Sequence, residues 1–596
     1  MSDYTTFCTK DERLQVRSSL PYAVYQGGQN VTFSQVKATS ASTSQHVFNV
    51  IVPSQNVVVD RKIHWECSIK FSFQLTQNAG DAGNADLRAV WAKTVGMCAF
   101  PLNQLTTTMT ATINNNSVSV QSREIMPFLL KLFTREELSH YQNTTLALPD
   151  NFQKFQTQVN GSSNVLAGVE NQTLDDMNGR GSYKLDYFNT VGDENLTNST
   201  RWQVDNAVAD APRIFYGQIT VSEPLFCSPF IFTKFAKNQA GIYGINNMNI
   251  VMNMGDPTPT LLKFPYYQLN AGSSKVSNIQ VKYENSSLRL QYLTPKPSMM
   301  LSARNIVPYY TLNRFNYACG AVGPATASTQ SNNLVSPSSW EVSSNTINIQ
   351  SIPDKFIIGV RATQQFYSKA KGCQFGQFFM PIDKITVNFN NSSGLLASAC
   401  PQQLWTMSVD NGNRQNYVEW SGIGNFTSSG LAANTGCEQV ALNGGFLVLA
   451  PARDIQLTEE YLSNGSIGNY QIQVIVNFLN YSLESFASGD LELVIIPVQS
   501  GLFVLEKGSS SVYTALLDKE TVLNAIQKPA VYSETTNRQI GGNFFDDIKS
   551  GMSEVASFVR PIADIVKPVS DIVSAIGSGA SGGGESGGRK MMRHRK

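Results

Sequence analysis

The chain has 596 residues, with 45 Lys or Arg against 44 Asp or Glu, for a formal net charge of +1. Hydrophobic content of 42% with 10% aromatic residues excludes a disordered polymer, and the near-zero charge excludes a global pull toward nucleic acid or an anionic membrane. Charged residues make up only 15% against a usual ~25%, which suits long polar loops and large subunit contacts, where charge is costly to desolvate.

The length exceeds one ordinary domain, so two domains of roughly 200–250 residues are expected. Met1-Ser2-Asp3-Tyr4 has no basic or apolar leader pattern, and no run of ~18 apolar residues is present to span a bilayer. Cys8, Cys67, Cys98, Cys227, Cys319, Cys373, Cys400 and Cys437 lie far apart. That spacing points to reduced thiols and an intracellular site of synthesis. Asn-x-Ser/Thr triplets, as at Asn30 and Asn285, are then plain polar turns.

Along the chain, Ile63 to Phe73 alternates apolar and polar residues, the pattern of a half-buried strand. Met109 to Ile113 and Val118 to Val120 alternate around Asn114-Asn115-Asn116, which predicts a hairpin, since Asn tolerates left-handed backbone. Glu124 to Tyr141 carries Phe128, Leu129, Leu132 and Phe133 near helical spacing. Gly255-Asp256-Pro257-Thr258-Pro259-Thr260 reads as the end of a first domain. Alternation resumes at Ile279, Val281 and Tyr283, at Leu288, Leu290 and Tyr292, at Ile347 and Ile349, and from Tyr470 to Phe478. Leu491 to Ile496 is apolar apart from Glu492, as in a strand buried on both faces. Val512 to Ile526 is a second helix candidate. Many strands, turn-rich connections and little helix predict an all-β chain of sandwiches or barrels. The strand-rich blocks fall at about 20–265 and 275–505, with no alignable internal repeat.

Catalytic signatures are missing. There is no phosphate-binding Gly-rich loop, no His-Glu-x-x-His and no Cys-x-x-Cys. Gly579-Ala580-Ser581-Gly582-Gly583 fits a nucleophile pattern only by composition, because no strand precedes it. His64 and Cys67 point to opposite faces of one strand and do not make a metal pair. Asp175-Asp176-Met177-Asn178-Gly179 lacks the spacing and closing Glu of a calcium loop, and Asp383 and Asp454 are isolated acids. No enzyme, cofactor or metal is expected.

The last segment differs from the body. Phe545, Ile548, Met552, Val555, Val559, Ile562, Val566, Val569, Val573 and Ile576 follow an unbroken 3-4 spacing. Pro561 and Pro568 break it into a helix from Asn543 to about Arg560 and a kinked remainder. This is either a helix packed on its own domain, an amphipathic arm for a neighbouring subunit or inner shell, or a membrane-active peptide. Asp546, Asp547, Glu554, Asp564 and Asp571 weaken the membrane reading, and no stable insertion is expected. Gly541-Gly542 before it is a flexible linker first and a protease processing site second. Arg589, Lys590, Arg593, Arg595 and Lys596 form a basic tip suited to a modest nucleic-acid contact, to nuclear import or to plain solubility.

Several phrases carry a resemblance. In the first half they are Cys98-Ala99-Phe100-Pro101-Leu102, Ser117-Val118-Ser119-Val120, Glu223-Pro224-Leu225-Phe226 and Gly244-Ile245-Asn246-Asn247-Met248. In the second they are Pro381 to Asn391, Ser393 to Ser398, Gln403 to Ser408, Glu419-Trp420, Phe446 to Ile455 and Gly468-Asn469-Tyr470. In this order they resemble the major capsid proteins of the polinton, adintovirus and virophage group, over most of residues 20–505. The resemblance implies two tandem jelly rolls, a homotrimer forming a pseudo-hexameric capsomer, and an icosahedral shell with neighbouring capsomers, pentons and minor capsid or cement proteins. It places the protein in the virion, after synthesis in the host cytoplasm or nucleus. Gly323 to Ser339 and Gly422 to Gly436 would be outer loops. The expected division is 1–20 an arm, 21–270 the first jelly roll, 271–505 the second, 506–540 a connection, and 541–596 the amphipathic arm and basic tail. The alternatives are a small RNA-virus capsid protein with one sandwich in the shell wall, and a β-sandwich fibre or adhesin that binds the host.

Overall fold

The computed structural model describes residues 31–514, apart from 77–96, 154–212 (save Asp186–Tyr187), 231–240, 260–274, 296–300, 328–334, 428–436, 458–463 and a few shorter breaks; it adds the short strands Phe7–Lys10 and Tyr22–Tyr25. The first eight principal strands are β1 (Val31–Lys37), β2 (Gln45–Val50), β3 (His64–Thr76), β4 (Thr106–Ile113), β5 (Asn116–Val120), β6 (Arg213–Pro224), β7 (Met248–Met254) and β8 (Lys275–Leu293). They form two antiparallel sheets, ordered β1-β8-β3-β6 and β2-β7-β4-β5.

The next eight are β9 (Arg304–Leu312, continued by Phe315–Ala318), β10 (Ser338–Ser343), β11 (Lys355–Ala362), β12 (Ile382–Phe389), β13 (Ser392–Leu395), β14 (Leu447–Leu449), β15 (Ile467–Asn480) and β16 (Leu491–Glu506). Their sheets run β9-β16-β11-β14 and β10-β15-β12-β13. In both halves the order is first-eighth-third-sixth against second-seventh-fourth-fifth. That is a jelly roll, and it occurs twice.

Each sandwich is filled by the inward residues of its strands. The first core stacks Trp65, Ile69 and Phe71 of β3 and Leu288 and Leu290 of β8 on Met109, Ile113, Ile250 and Met252 of the facing sheet. The second stacks Phe356, Ile358, Leu493 and Ile495 on Ile385, Val387, Val474 and Val476.

The hairpin at Asn114 is observed, with Asn114 at φ 52. The two alternating runs at 279–292 are one strand, β8. Its inward residues switch from odd (Val281, Tyr283) to even (Leu288, Leu290) because one extra residue is inserted between Glu284 and Ser287. Asn285, at φ 53, takes up this bulge.

The division at 270/271 is corrected by the same strand. β8 pairs with β3 and β1, so the first sandwich runs to Leu293. The Pro-rich stretch at 255–260 follows the seventh strand, so it leads to the eighth strand of the same sandwich and does not separate domains. The helix expected from 124 to 141 is two helices, α2 (Ser122–Leu132) and α3 (Arg135–Ser139), preceded by α1 (Pro101–Leu105), and the second half carries α4 (Gln364–Ser368), α5 (Pro401–Asp410) and α6 (Tyr417–Trp420). The start of the helix expected at 512–526 is instead strand β17 (Ser509–Thr514), which pairs with β16; the remainder lies outside the described residues.

Candidate assembly interface

α2 sits between the two sandwiches. Glu124 in its first turn and Lys131 in its last suit the helix dipole. Ile125, Met126, Phe128, Leu129, Leu130 and Leu132 are all buried, so the helix is apolar almost all round, as befits one covered on two sides. Against it lie Ile357 of β11, Val448 of β14, Val494, Ile496 and Val498 of β16, and Phe379 and Phe446. These belong to the outer face of the β9-β16-β11-β14 sheet. The Phe128 ring is 4.8 Å from Phe379 and 5.1 Å from Phe446, and those two rings are 5.1 Å apart.

Charge clamps both ends of the helix. Glu124 takes Arg361 of β11 and Arg314 as ion partners. Arg361 also donates from Nε to Glu492 at 3.0 Å and from Nη1 to the Glu124 carbonyl at 2.7 Å, and it lies 5.5 Å over the Phe128 ring. Burial works against the Arg361 charge, but the two carboxylates outweigh it and hold its pKa above the ordinary value. Glu492 accepts a further bond from Asn316 at 2.9 Å. At the other end Lys131 pairs with Glu419 of the short helix α6 (Tyr417–Trp420).

A second junction lies where the chain returns. β16 outruns the second sandwich, and Phe503 and Leu505 join the first core together with Val307 and Tyr309 of β9. β17 then docks on the Asn-rich turn. Asn114 Nδ2 donates to the Gly244 and Ser509 carbonyls, both at 3.1 Å, and Ser510 Oγ donates to the Ile113 carbonyl at 2.6 Å. The described chain leaves from here at Thr514. Gly541, Gly542, the apolar series Phe545 to Ile576 and the basic cluster Arg589 to Lys596 all lie outside the described residues.

One of the segments expected as outer loops, 323–339, touches the strand that follows the other. Val335 donates its backbone N–H to Gln439 Oε1 at 2.8 Å, joining the 323–339 segment to the hairpin Ile423–Thr427/Cys437–Ala441.

Buried polar groups serve the frame. Glu223, fully buried at the end of β6, accepts from the Leu102 and Asn103 backbone, Asn103 Nδ2 and Thr145 Oγ1 at 2.8–3.1 Å. Burial pushes its pKa up to about 7. Burial likewise pushes the Cys67 thiol up to about 12, which makes it inert. Asp454, read as an isolated acid, receives the Ala450 N–H at 2.8 Å and orders a turn. Among the described residues no group of three or more His, Cys, Asp or Glu is placed to hold a metal. Sequence reasoning missed Glu124, Arg361, Glu492 and Arg314, because the Glu124–Arg361 partners lie 237 positions apart.

Comparison with known proteins agrees with this geometry. A family model of the Sputnik virophage major capsid protein first domain matches residues 2–293. A model of the major capsid protein V20 C-terminal domain matches residues 324–501. Between them the two models match most of the chain, which is homologous to virophage major capsid proteins. This capsid protein is 24% identical over 562 residues to the putative capsid protein V20 of Sputnik virophage, covering 92% of this chain and 86% of that one. Its fold is similar to the Sputnik virophage structure solved by cryo-EM, at a TM-score of 0.69 and 21% identity over 90% of this chain and 98% of that one. It is also similar to the crystal structure of the mavirus major capsid protein, at a TM-score of 0.60 and 12% identity over 84% and 93%. The first-domain match ends at residue 293, where β8 ends.

Proposed function

We propose that three copies of this capsid protein form a trimer with a pseudo-hexameric outline, and that these capsomers tile an icosahedral shell. The observation that carries the reading is the repeated topology. Two sandwiches of one strand order lie side by side in each chain, so three chains supply six similar wedges. Such wedges hold together by burying area that is apolar at its centre and polar at its rim. Neighbouring capsomers, pentons and minor capsid or cement proteins complete the shell. The role is structural, without enzymatic chemistry, and the protein is made in the host cytoplasm or nucleus.

The segment beyond Thr514 acts as an arm. Phe545 to Ile576 ties the subunit to a neighbour or to the inner shell surface, Gly541-Gly542 gives it slack, and Arg589 to Lys596 touch the packaged genome weakly.

Light scattering on purified protein, with negative-stain microscopy, tests the proposal. The expected result is a particle of three times 65.4 kDa with six lobes. A chain that stays monomeric at all concentrations, or builds walls one sandwich thick, overturns it.

A further inference from the structure

Lys131 has more than a counter-charge beside it. Its side chain, in the last turn of α2, is 5% exposed. Its Nζ donates to the Asp150 carbonyl at 3.3 Å and pairs with Glu419 Oε1. The same Glu419 oxygen accepts from Nε2 of Gln415 at 3.2 Å. Gln415 is buried in the turn between α5 and α6. Its Nε2 also donates to the Gly444 carbonyl at 2.9 Å, so both amide hydrogens are used and the carboxamide plane is fixed. A primary amine from the first half of the chain and a carboxamide from the second therefore meet on one carboxylate oxygen.

We propose that Lys131 and Gln415 join in an intramolecular isopeptide bond, with Glu419 carrying the protons, which locks the two sandwiches covalently across the α2 seam. The Lys131 ammonium gives a proton to Glu419, and the freed Nζ lone pair attacks Gln415 Cδ. The Nζ–Cδ bond forms as the carbonyl electrons move onto Oε1. Their return breaks the Cδ–Nε2 bond. Two protons in all pass from Nζ through Glu419 to Nε2, which leaves as ammonium. Nothing is oxidised or reduced, and the charge balances without a co-reactant.

An ion pair alone needs no carboxamide on the same oxygen. Here that oxygen touches both the attacking and the leaving nitrogen, which is where a proton carrier has to sit. Two nitrogens bonded to one oxygen are within about 6 Å of each other, and rotation of the four-carbon Lys131 stem closes this to the ~3–3.5 Å of an attack. Asn413 Nδ2 lies 3.5 Å from Gln415 Oε1, placed for the charge that develops there. Gly445 leaves room for that oxygen, since a Cβ at this position would stand 2.9 Å from it. Burial of the amine and the amide keeps water from competing, while Glu419, with its side chain 20% exposed, gives the ammonium a way out. The bond closes a long loop through both sandwiches, and so restricts the unfolded chain as a disulfide does.

Mass spectrometry of the full chain, folded and then incubated for several days, tests this. The intact mass should fall below that of the sequence by one ammonia. Trypsin should fail to cut after Lys131 and should release a branched peptide joining 124–135 to 415–453. Glu419→Gln keeps both reacting groups and removes the proton carrier, so it should lose the branched peptide while circular dichroism shows the fold intact. Lys131→Arg keeps a cation without the reactive amine and should lose it too. A wild-type chain of full mass, cut normally after Lys131, overturns the proposal. So does a chain one ammonia lighter that is still cut after Lys131, because an Asn-Gly pair such as Asn411-Gly412 can lose ammonia by closing on its own backbone. A branched peptide that survives in folded Glu419→Gln overturns the role of Glu419.

Discussion

The third strand of each sandwich shows how one topology is put to two uses. In β3 the buried Trp65, Cys67, Ile69, Phe71 and Phe73 alternate with half-buried Glu66, Lys70 and Ser72, with one break at Ser68, which is buried and bonded to Thr220. In β11, its counterpart, all eight positions are buried. The inward residues Phe356, Ile358 and Val360 match those of β3, but the outward ones do not. Ile357 meets the α2 seam, the Gly359 Cα faces it, and Arg361 carries its ion pairs. A strand that alternates faces something wet, and one that does not is covered on both sides. The second sandwich therefore cannot expose its outer sheet face without a large apolar penalty, whereas the first can. This difference makes the two jelly rolls one body.

Removing the centre of the seam should have the largest effect. Phe128 is fully buried between Phe379 and Phe446. Phe128→Ala is expected to cost about 3–5 kcal/mol, and to split guanidinium unfolding into two transitions as the sandwiches uncouple. A single transition with a loss below ~1 kcal/mol would show that α2 does not join them.

Charge in the seam comes next. Arg361→Met leaves buried Glu492 without its cation and half-buried Glu124 with Arg314 alone, and should cost about 3–5 kcal/mol. The triple change Arg361→Met, Glu124→Gln and Glu492→Gln should recover most of that, because the penalty lies in the stranded charge. If the triple variant is no more stable than the single one, the network contributes more than mutual neutralisation.

Response to pH should also separate the halves, since no histidine occurs in the sequence between residues 304 and 506. His46 is buried, bonds Ser286 Oγ through Nδ1 at 2.8 Å, and packs edge-on to Trp65 and Tyr283. Burial lowers its pKa from 6.5 to about 4. Its contribution is thus full above 6.5 and is lost as pH falls toward 4, by up to about 3 kcal/mol. Glu223 acts with the opposite sign: raised from 4.5 to about 7, it favours the fold at low pH and loses that effect as pH rises through 7. Denaturant midpoints of wild type and His46→Gln between pH 4 and 7 test this. The variant should lack the acid-side loss, and parallel curves would remove His46 as its cause.

Much of this frame was legible in the chain. Strict alternation marked β3, β4, β5 and β15, and the near-continuous apolar run from Leu491 to Ile496 announced a strand covered on both faces. The boundary was misread for a physical reason. Gly255 to Thr260 has the composition of a linker, but a long connection between strands seven and eight needs the same residues. The repeat was invisible because a topology is conserved by hydrogen-bond partners and not by residue identity. The Glu124–Arg361–Glu492 cluster was invisible because its members are ordinary surface types until α2 is laid on the sheet.

The smallest effect should come from the open face, and it sharpens the contrast most. Lys70 of β3 pairs with Glu284 of β8 at 2.9 Å, with side chains 18% and 28% exposed. The neighbouring Lys282 holds the same carboxylate at 3.0 Å, so Glu284 keeps a cation when Lys70 is removed. Lys70 and Glu284 are both more exposed than Arg361, whose side chain is 4% exposed and lies against the Phe128 ring. Water can therefore replace each lost contact, and Lys70→Ala should cost less than ~1 kcal/mol by denaturant unfolding of the isolated chain. The difference should fade at ~1 M salt, where exposed charges are screened within about 3 Å. A loss above ~2 kcal/mol that persists in salt would mean that this face, too, is covered within the single chain. The two sandwiches would then differ in what covers them and not in whether they are covered.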